Sequence, residues 1–309
     1  MKNQTIGVEI EMTGITRAAA AKAVAKFFGT RANHIGGTYD AYEIEDNIGR
    51  TWKVMYDSSL KAQKKLAGGE IETFDNDDCR GKTRKVELVT PILNYADIET
   101  LQEVIRTIRK AGAFVNQSCG MHIHVGAQKF TAQAVRNLVN TIASKEEILI
   151  HALNVHENRL GQYCRRTNQR FLKELNEKKP KTMTQLAAIW YNEPERTTIP
   201  NHGHYHYSRY TICNLHALFT KGTIEFRVFN STLHAGEVKA AIQFCLALTH
   251  QALTTKKATY RITESDNEKY TFRCWLLRLN LIGDDFKTCR HHLLKNLEGD
   301  SAWRNREAA

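Results

Sequence analysis

The sequence predicts an α+β protein with one large domain followed by a small C-terminal helical extension. Three observations favour this class. Short alternating segments typical of strands are interleaved with longer segments whose apolar residues recur at helical spacing. At 309 residues the chain can bury a full-sized core, and it shows no internal repeat or low-complexity linker. The apolar density falls after Lys256, so we predict a domain over residues 1–255 and an extension over 256–309.

The elements follow in order from these patterns. Residues 5–12 predict a strand, and residues 16–29 predict a helix for which Thr16 is the N-cap candidate and Gly29 follows the last turn. The other predicted strands are 37–46, 51–57, 69–74, 85–91, 120–125, 208–218 and 222–229. The other predicted helices are 94–112, 131–156, 182–191 and 235–254, with a loop over 192–207 and two helices, 270–283 and 285–297, in the extension.

Composition limits the class of protein. A hydrophobic content of 42% and a charged content of 25% are typical of soluble globular proteins. No run approaches the roughly 20 apolar residues of a membrane helix, and Glu9 and Glu11 interrupt the apolar core that a signal peptide needs. The seven cysteines are odd in number and form no CxxC pair, which disfavours a disulfide scaffold or a zinc ribbon. We therefore expect a cytoplasmic protein with reduced thiols and no membrane partner.

The net charge of +11 favours anionic partners such as nucleotides, polyphosphates or nucleic acid. The Lys and Arg residues are nevertheless scattered along the chain. The densest run, residues 176–181, contains a glutamate and is typical of a loop between helices. A basic surface without a recognition motif more often serves solubility than DNA binding, so nucleic acid is disfavoured as a partner.

Four of the predicted strands share one design. Successive side chains of a strand face opposite sides, so residues i and i+2 lie about 6.5–7 Å apart on one face. In each of these strands one face is apolar and suited to packing on helices, whereas the other carries charged or imidazole groups. The residues on these polar faces are Glu9 and Glu11, Glu87, His122 and His124, and Glu225 and Arg227.

Two interpretations of the polar faces are open. Each strand alone fits the solvent-facing side of an antiparallel sheet, but a solvated face usually includes lysine, and this set has none. Adjacent carboxylates repel each other and are costly to bury unless a cation compensates them. Oxygen ligands with one or two imidazoles suit Mg²⁺ or Mn²⁺, and Arg227 adds a phosphate-directed cation. The combined pattern therefore favours a divalent-metal site for phosphoryl chemistry.

Four stretches of the chain carry a resemblance to a known family. They are GVEIEM (7–12), ELVTP (87–91), GMHIHV (120–125) and TIEFRVF (223–229). In this order they resemble the motifs of the amidoligase family, within the glutamine synthetase and glutamate–cysteine ligase superfamily of carboxylate–amine ligases. GMHIHV is similar to the Gly-Met-His-x-His stretch of glutamine synthetases, and IEFR is similar to their Glu-x-Arg strand. YDSSL (56–60) and RYTICNL (209–215) are similar to further amidoligase elements, so the resemblance covers roughly residues 5–250.

The resemblance implies a fold and a reaction. The fold would be a glutamine-synthetase-like antiparallel sheet curved into a funnel, with helices packed on its outer face. ATP would phosphorylate a carboxylate to an acyl phosphate, and an amine would displace phosphate to form an amide or isopeptide bond. The implied partners are ATP, Mg²⁺ (or Mn²⁺), and a carboxylate and an amine from small molecules, peptides or proteins. The N-terminal domain and glutamate-binding loop of glutamine synthetase have no counterpart in the chain, so the oligomeric state and the substrates stay open.

The resemblance also implies a role for each matching residue. His124 would lie near the nucleotide phosphates, and Arg227 would bind the γ-phosphate. Arg209 and Asn214 would contact substrate. Asp57 would act as an acid near the amine or as a further metal ligand. The residues that would hold Mg²⁺ are Glu9, Glu11, Glu87, His122 and Glu225.

Two other functions and one motif also stay open. The same carboxylates and histidines suit a metal-dependent hydrolase that activates water without ATP, although such a site does not need Arg227 beside Glu225. A nucleic-acid-binding protein without catalytic activity is suggested by the charge alone. The histidine loop, which contains His202, His204 and His206, fits a zinc cluster, a substrate-gating loop or an exposed polar strand edge.

Overall fold

A computed structural model of the chain describes residues 1–75, 78–203 and 205–304. His204 of the histidine loop and residues 305–309 of the predicted extension lie outside the described residues. The strands are β1 (Ile6–Met12), β2 (Ala32–Gly36), β3 (Ala41–Glu45), β4 (Thr51–Met55), β5 (Gln63–Lys65), β6 (Ile71–Thr73), β7 (Val86–Val89), β8 (Gly120–Gly126), β9 (Cys213–Asn214) and β10 (Thr223–Asn230). The helices are α1 (Arg17–Phe28), α2 (Cys79–Lys82), α3 (Ile98–Lys110), α4 (Ala132–Ala143), α5 (Glu146–Leu153), α6 (Glu157–Gln162), α7 (Gln169–Lys178), α8 (Met183–Tyr191), α9 (His216–Thr220), α10 (Ala235–Thr254), α11 (Glu268–Arg278) and α12 (Lys287–Leu294).

Eight of the strands form one large antiparallel sheet, in the order β2-β3-β4-β7-β1-β8-β10-β9. Strands β5 and β6 pair separately. The register between β1 and β7 places Glu11 directly opposite Glu87, and the register between β10 and β9 places Glu225 opposite Asn214. The chain is therefore a mixed α and β protein built on an antiparallel sheet, as predicted.

The chain divides into two compact units. The first, here called the N-terminal unit, contains residues 5–123 and 229–239. The second, here called the C-terminal unit, contains residues 1–4, residues 124–228 and the chain from residue 240 onward. The predicted domain boundary after residue 255 stays a prediction.

In the N-terminal unit, α1 packs on β3 and β4 and beside α3. Thr16 accepts a hydrogen bond from the Ala19 amide at the start of α1, and Gly29 ends the helix at a φ of 69°. The rings of Phe28 on α1 and Trp52 on β4 lie 5.4 Å apart between centroids. The predicted apolar face of β1 is buried and consists of Val8, Ile10 and Met12.

In the C-terminal unit, α7 packs against α4 and α8, and both α11 and α12 pack on α5. Phe244 of α10 meets Phe272 and Trp275 of α11 at centroid distances of 6.2 and 5.5 Å. All three aromatic side chains are buried. The first helix predicted for the extension therefore shares an aromatic core with α10.

Three predicted elements differ most in their extent, and the helix predicted over 270–283 also ends earlier, at Arg278. The single helix predicted over 131–156 is interrupted, because α4 ends at Ala143 with Ser144 as its C-cap, and the acidic pair Glu146 and Glu147 opens the separate helix α5. The strand predicted over 208–218 is reduced to β9, with a 3₁₀ turn before it and α9 after it. The strand predicted over 37–46 begins only at Ala41, after a turn in which Asp40 has a φ of 41°.

Two expectations for the whole chain can be compared with the structure. All seven cysteines lie in the described residues, and none forms a disulfide. Burial raises the pKa of the Cys213 thiol to about 12, so this thiol stays protonated. Within residues 1–75, 78–203 and 205–304, no helix has the combined length and apolarity that crossing a bilayer requires.

Candidate functional site

Six of the seven residues on the polar faces of the four strands are buried rather than exposed to solvent, and Glu9 is half-buried. The exposed fraction is 8% or less for Glu11, Glu87, His122, His124, Glu225 and Arg227. The solvent-facing interpretation is therefore wrong for these residues. Burying an ionised group costs free energy unless a partner compensates it, so the partners of these groups decide what they can do.

The N-terminal unit contains a set of residues that we call the acidic cluster: Glu9, Glu11, Asp57, Glu87 and His122. Each comes from β1, β7 or β8, except Asp57, which follows β4 by two residues. One ligand atom from each of Glu9, Glu87 and His122 lies within 4.8 Å of the other two. The same holds for Glu11, Asp57 and Glu87. Glu87 belongs to both sets because the sheet places β7 between β1 and β4.

The imidazole of His122 lies between two carboxylates of β1. Its Nδ1 atom is 3.1 Å from Oε2 of Glu9, and its Nε2 atom is 3.9 Å from Oε1 of Glu11. Oε2 of Glu11 also accepts a hydrogen bond from the Gly120 amide at the start of β8. These contacts fix the orientation of the imidazole relative to both carboxylates.

Asp57 has a turn-forming role in addition to its place in the acidic cluster. Its Oδ1 atom accepts hydrogen bonds from the amide of Ser59 at 2.7 Å and from the hydroxyl of Ser59 at 2.6 Å. Leu60, the next residue, is buried in the core. The Asp-x-Ser-Leu stretch is therefore an Asx turn anchored by a leucine.

Lys85 is a buried cation that the sequence analysis missed. It directly precedes β7, is 3% exposed, and by strand alternation faces the same side as Glu87. Its ammonium donates a hydrogen bond to the Ser58 carbonyl at 3.0 Å. Burial lowers the pKa of this ammonium, and the nearby Asp57 carboxylate opposes that effect. The sequence offered one signal for Lys85, which is that it lies two residues before Glu87 and so shares its face of the strand.

The C-terminal unit contains a second set, which we call the arginine cluster: Arg159, Asn214, Glu225 and Arg227. Nη1 of Arg227 donates to Oε1 of Glu225 at 2.5 Å, and Nδ2 of Asn214 donates to Oε2 of Glu225 at 2.7 Å. Nε of Arg227 donates to the Tyr163 carbonyl at 3.2 Å. Nη2 of Arg159 donates to the Arg227 carbonyl at 2.9 Å. Both carboxylate oxygens of Glu225 are thus held by hydrogen bonds, as are the guanidinium and the backbone carbonyl of Arg227.

The other predicted residues of the C-terminal unit contact Tyr210 or a residue of β10. The guanidinium groups of Arg209 and Arg227 both lie over the ring of Tyr210, at 5.6 and 5.8 Å from its centroid. Nδ1 of His124 is 2.9 Å from the hydroxyl oxygen of Thr223. Tyr210 therefore links a predicted substrate residue to a predicted phosphate-binding residue.

The described histidines of the histidine loop stack on each other. His202 and His206 have ring centroids 4.4 Å apart, and Nε2 of His202 lies 3.0 Å from a carboxylate oxygen of Glu193. Burial lowers the pKa of His206. In the described part of the loop, these histidines do not belong to any group of three His, Cys, Asp or Glu residues close enough to hold one metal ion. The zinc interpretation therefore has no support there. The gating interpretation stays a prediction.

A chain of hydrogen bonds leads from the end of α8 to the arginine cluster. The hydroxyl of Tyr191 is 2.6 Å from Nδ1 of His216, and the amide of His216 donates to Oδ1 of Asn214 at 2.8 Å. Asn214 in turn binds Glu225. Burial lowers the pKa of His216 to about 4, so its imidazole is neutral at neutral pH. Sequence reasoning did not single out His216 or Tyr191.

A comparison with known proteins gives the family to which these residues belong. Residues 2–249 match the family model described as "Putative amidoligase enzyme". The matched range includes every residue of both clusters and agrees with the extent of the resemblance found in the motifs. No curated protein sequence matches the chain.

Proposed function

The chain belongs to the amidoligase family, whose enzymes form amide bonds, and from this premise we propose that it is an ATP-dependent carboxylate–amine ligase. The observation that carries the proposal is the acidic cluster. Its ligand atoms are brought together from three strands and from Asp57 after β4, and they form two groups of three in which the atoms lie within 4.8 Å of one another. Four carboxylates lie with one imidazole, and this excess of negative charge is what a divalent cation would offset.

The acidic cluster fits Mg²⁺ or Mn²⁺. Carboxylate oxygens with one imidazole are hard ligands of the type that these ions prefer, and no thiolate belongs to the set. Glu9, Glu11, Glu87 and His122 would hold the ions, whereas Asp57 would act near the amine. When bound, a divalent ion would neutralise the phosphate oxygens of ATP. Glu225 stays a predicted ligand.

The arginine cluster suits recognition of phosphate. Arg227 is 4% exposed, and a guanidinium held in a buried environment interacts strongly with an anionic oxygen. We propose that Arg227 binds the γ-phosphate, that Glu225 and Asn214 hold it in place, and that His124 lies near the nucleotide phosphates. The funnel-shaped, glutamine-synthetase-like curvature of the sheet belongs to the same proposal.

The proposed reaction has two steps. An oxygen of the substrate carboxylate attacks the γ-phosphorus, the bond to ADP breaks, and an acyl phosphate forms. The amine nitrogen then attacks the acyl carbon and phosphate leaves, while the Asp57 carboxylate accepts the proton that the amine loses. Arg209 would contact the substrates, since its guanidinium is the less buried of the two that lie over Tyr210.

The test is phosphate release from ATP with Mg²⁺ across a panel of carboxylates and amines. We expect release that needs both substrates, is lost in Glu87→Gln and Arg227→Ala, and is kept in Glu99→Gln, a matched change at an exposed glutamate of α3. Mass spectrometry should detect a product lighter by one water than the sum of its substrates.

Two results would contradict the proposal. Cleavage of an amide or phosphoester in buffer without ATP would support the metal-dependent hydrolase instead. Steeply salt-dependent binding of nucleic acid that survives Glu87→Gln and Arg227→Ala, with no ATP turnover, would support a nucleic-acid-binding protein.

A further inference from the structure

A basic groove lies between α7 and α8 of the C-terminal unit and includes no residue of either cluster. It encloses about 570 Å³. Its floor is apolar and contains the buried residues Pro180, Ala188 and Ile189. Its exposed rim carries four cations, Lys178, Lys179, Lys181 and Arg196. An apolar floor within a charged rim is the usual anatomy of a peptide-binding groove.

The charges of the rim are only partly compensated by the protein. Lys178 pairs with Glu174 at 2.6 Å, and Arg196 pairs with Glu193 at 2.7 Å. Glu174 also pairs with Arg170 on the same helix. Lys179 and Lys181 form no ion pair with any carboxylate of the described residues. The groove therefore presents a net positive charge.

The backbone at Lys179 is in a conformation that lysine rarely adopts. Lys179 follows the last turn of α7 with a φ of 47°, in the left-handed region. At the same position after α5 and α8 the chain has Asn154 and Asn192, and after α1 it has Gly29, all of which adopt this conformation more easily. This conformation places a lysine on the rim of the groove at a position where asparagine or glycine would be less strained.

We propose that this groove docks an acidic peptide segment. Asp or Glu side chains of the peptide pair with Lys179 and Lys181, and its backbone and apolar side chains cover the floor. The lining contains no aromatic side chain among the described residues, whereas single-stranded nucleic acid is held by stacking on aromatic rings. The charge and the lining together favour a polypeptide partner.

Docking of a peptide in this groove also identifies the class of one substrate. This inference rests on the proposed ligase function. Helix α8 forms one wall of the groove and ends at Tyr191, from which the hydrogen-bonded chain leads through His216 and Asn214 to Glu225. A docked peptide is thus held on the same unit as the arginine cluster. The inference is that one of the two substrates is an acidic polypeptide.

The test is the fluorescence anisotropy of a labelled decaglutamate peptide with the full chain, in low-salt buffer without ATP or metal. Lys179→Asn and Lys181→Gln should each weaken binding by about 2- to 5-fold, and the double variant by about 10-fold. Lys173→Gln is the matched control, since Lys173 lies on α7 outside the lining of the groove, and it should bind as the wild type does. Lys179→Asn should melt at or above the wild-type temperature, because asparagine suits the left-handed conformation.

Equal affinity of the double variant and the wild type would overturn the proposal. Tighter binding of an oligothymidylate of the same charge than of the peptide would overturn it too. The assay contains no ATP, so its outcome is separate from that of the proposed function. Intact docking without ATP-dependent turnover would overturn the ligase proposal alone, and turnover of small substrates without docking would overturn the groove alone.

Discussion

The acidic cluster and the arginine cluster place buried charge in opposite situations. In the acidic cluster, four carboxylates lie with the imidazole of His122 and near the ammonium of Lys85, so negative charge predominates. In the arginine cluster, the single carboxylate of Glu225 meets the guanidinium of Arg227 and the amide of Asn214. Arg159 binds the Arg227 carbonyl, so positive charge predominates. One strand pattern has therefore produced two kinds of site. On the proposed function the first would take cations from solution, whereas in the second the hydrogen bonds among Glu225, Arg227 and Asn214 are formed before any ligand arrives.

The largest effect is expected for Arg227→Ala, which tests whether Arg227 and Glu225 stabilise each other within the arginine cluster. The change removes the guanidinium that pairs with buried Glu225, and the free energy of unfolding should fall by about 3–5 kcal/mol. Urea denaturation measures it. The double variant Arg227→Met/Glu225→Gln should recover most of this loss without recovering ATP-dependent activity. A stable Arg227→Ala single variant would show that the pair is not a source of stability.

The second-largest effect is expected in the acidic cluster. There, in the absence of metal, removal of a charge should not lower the stability of the protein. Glu87→Gln should weaken Mn²⁺ binding by about 100-fold or more, or roughly 2.7 kcal/mol, because Glu87 belongs to both ligand groups. In metal-free buffer the same variant should melt at or above the wild-type temperature, because the repulsion of Glu87 by Glu11 is removed. Calorimetric titration and thermal melting measure the two effects. A lower melting temperature without metal would contradict the comparison.

The third prediction uses pH to sharpen the comparison on the side of the arginine cluster. His216 has a pKa of about 4 when folded, against about 6.5 when unfolded, so between these values the unfolded state binds more protons. Stability should therefore be fully present above pH ~6.5 and fall by about 2 kcal/mol as the pH drops toward 4. In His216→Gln the slope of unfolding free energy against pH should be smaller over this window.

The smallest effect on stability is expected for Asp57→Asn, which separates the turn from the charge. Asparagine keeps the Oδ1 acceptor for Ser59, so the free energy of unfolding should change by less than about 1 kcal/mol. The substitution removes one negative charge from the acidic cluster, and ligase activity should fall. Asp57→Ala should lose both the turn and the activity. Full activity in Asp57→Asn would remove Asp57 from the proposed chemistry.

Much of the acidic cluster could be predicted from sequence because strand alternation is a local property. Glu9 and Glu11 share a face wherever β1 lies in the sheet, and the same holds for His122 and His124. Which strands become neighbours is not local. The pairing of Glu11 with Glu87 depends on β7 lying beside β1, which no short-range pattern encodes.

The residues missed by sequence reasoning are those whose role depends on distant backbone. In the sequence, Lys85 has the pattern of a solvent-exposed lysine. Only the folded sheet, in which Lys85 directly precedes β7, shows that it is buried. Arg159 reaches the Arg227 carbonyl across 68 positions of the sequence. The strand predicted over 208–218 was wrong in extent because the alternation of its side chains also suits a chain that pairs over only two residues and then turns into α9.

The direct opposition of Glu11 and Glu87 has a consequence for how the molecule is made. If β1 paired one residue out of step, its carboxylates would point into the layer occupied by Val8, Ile10 and Met12. Such a chain would lose its core and its chemistry in the same error. The pairing that buries the apolar face of β1 is thus the same pairing that assembles the acidic cluster, and one register decides both.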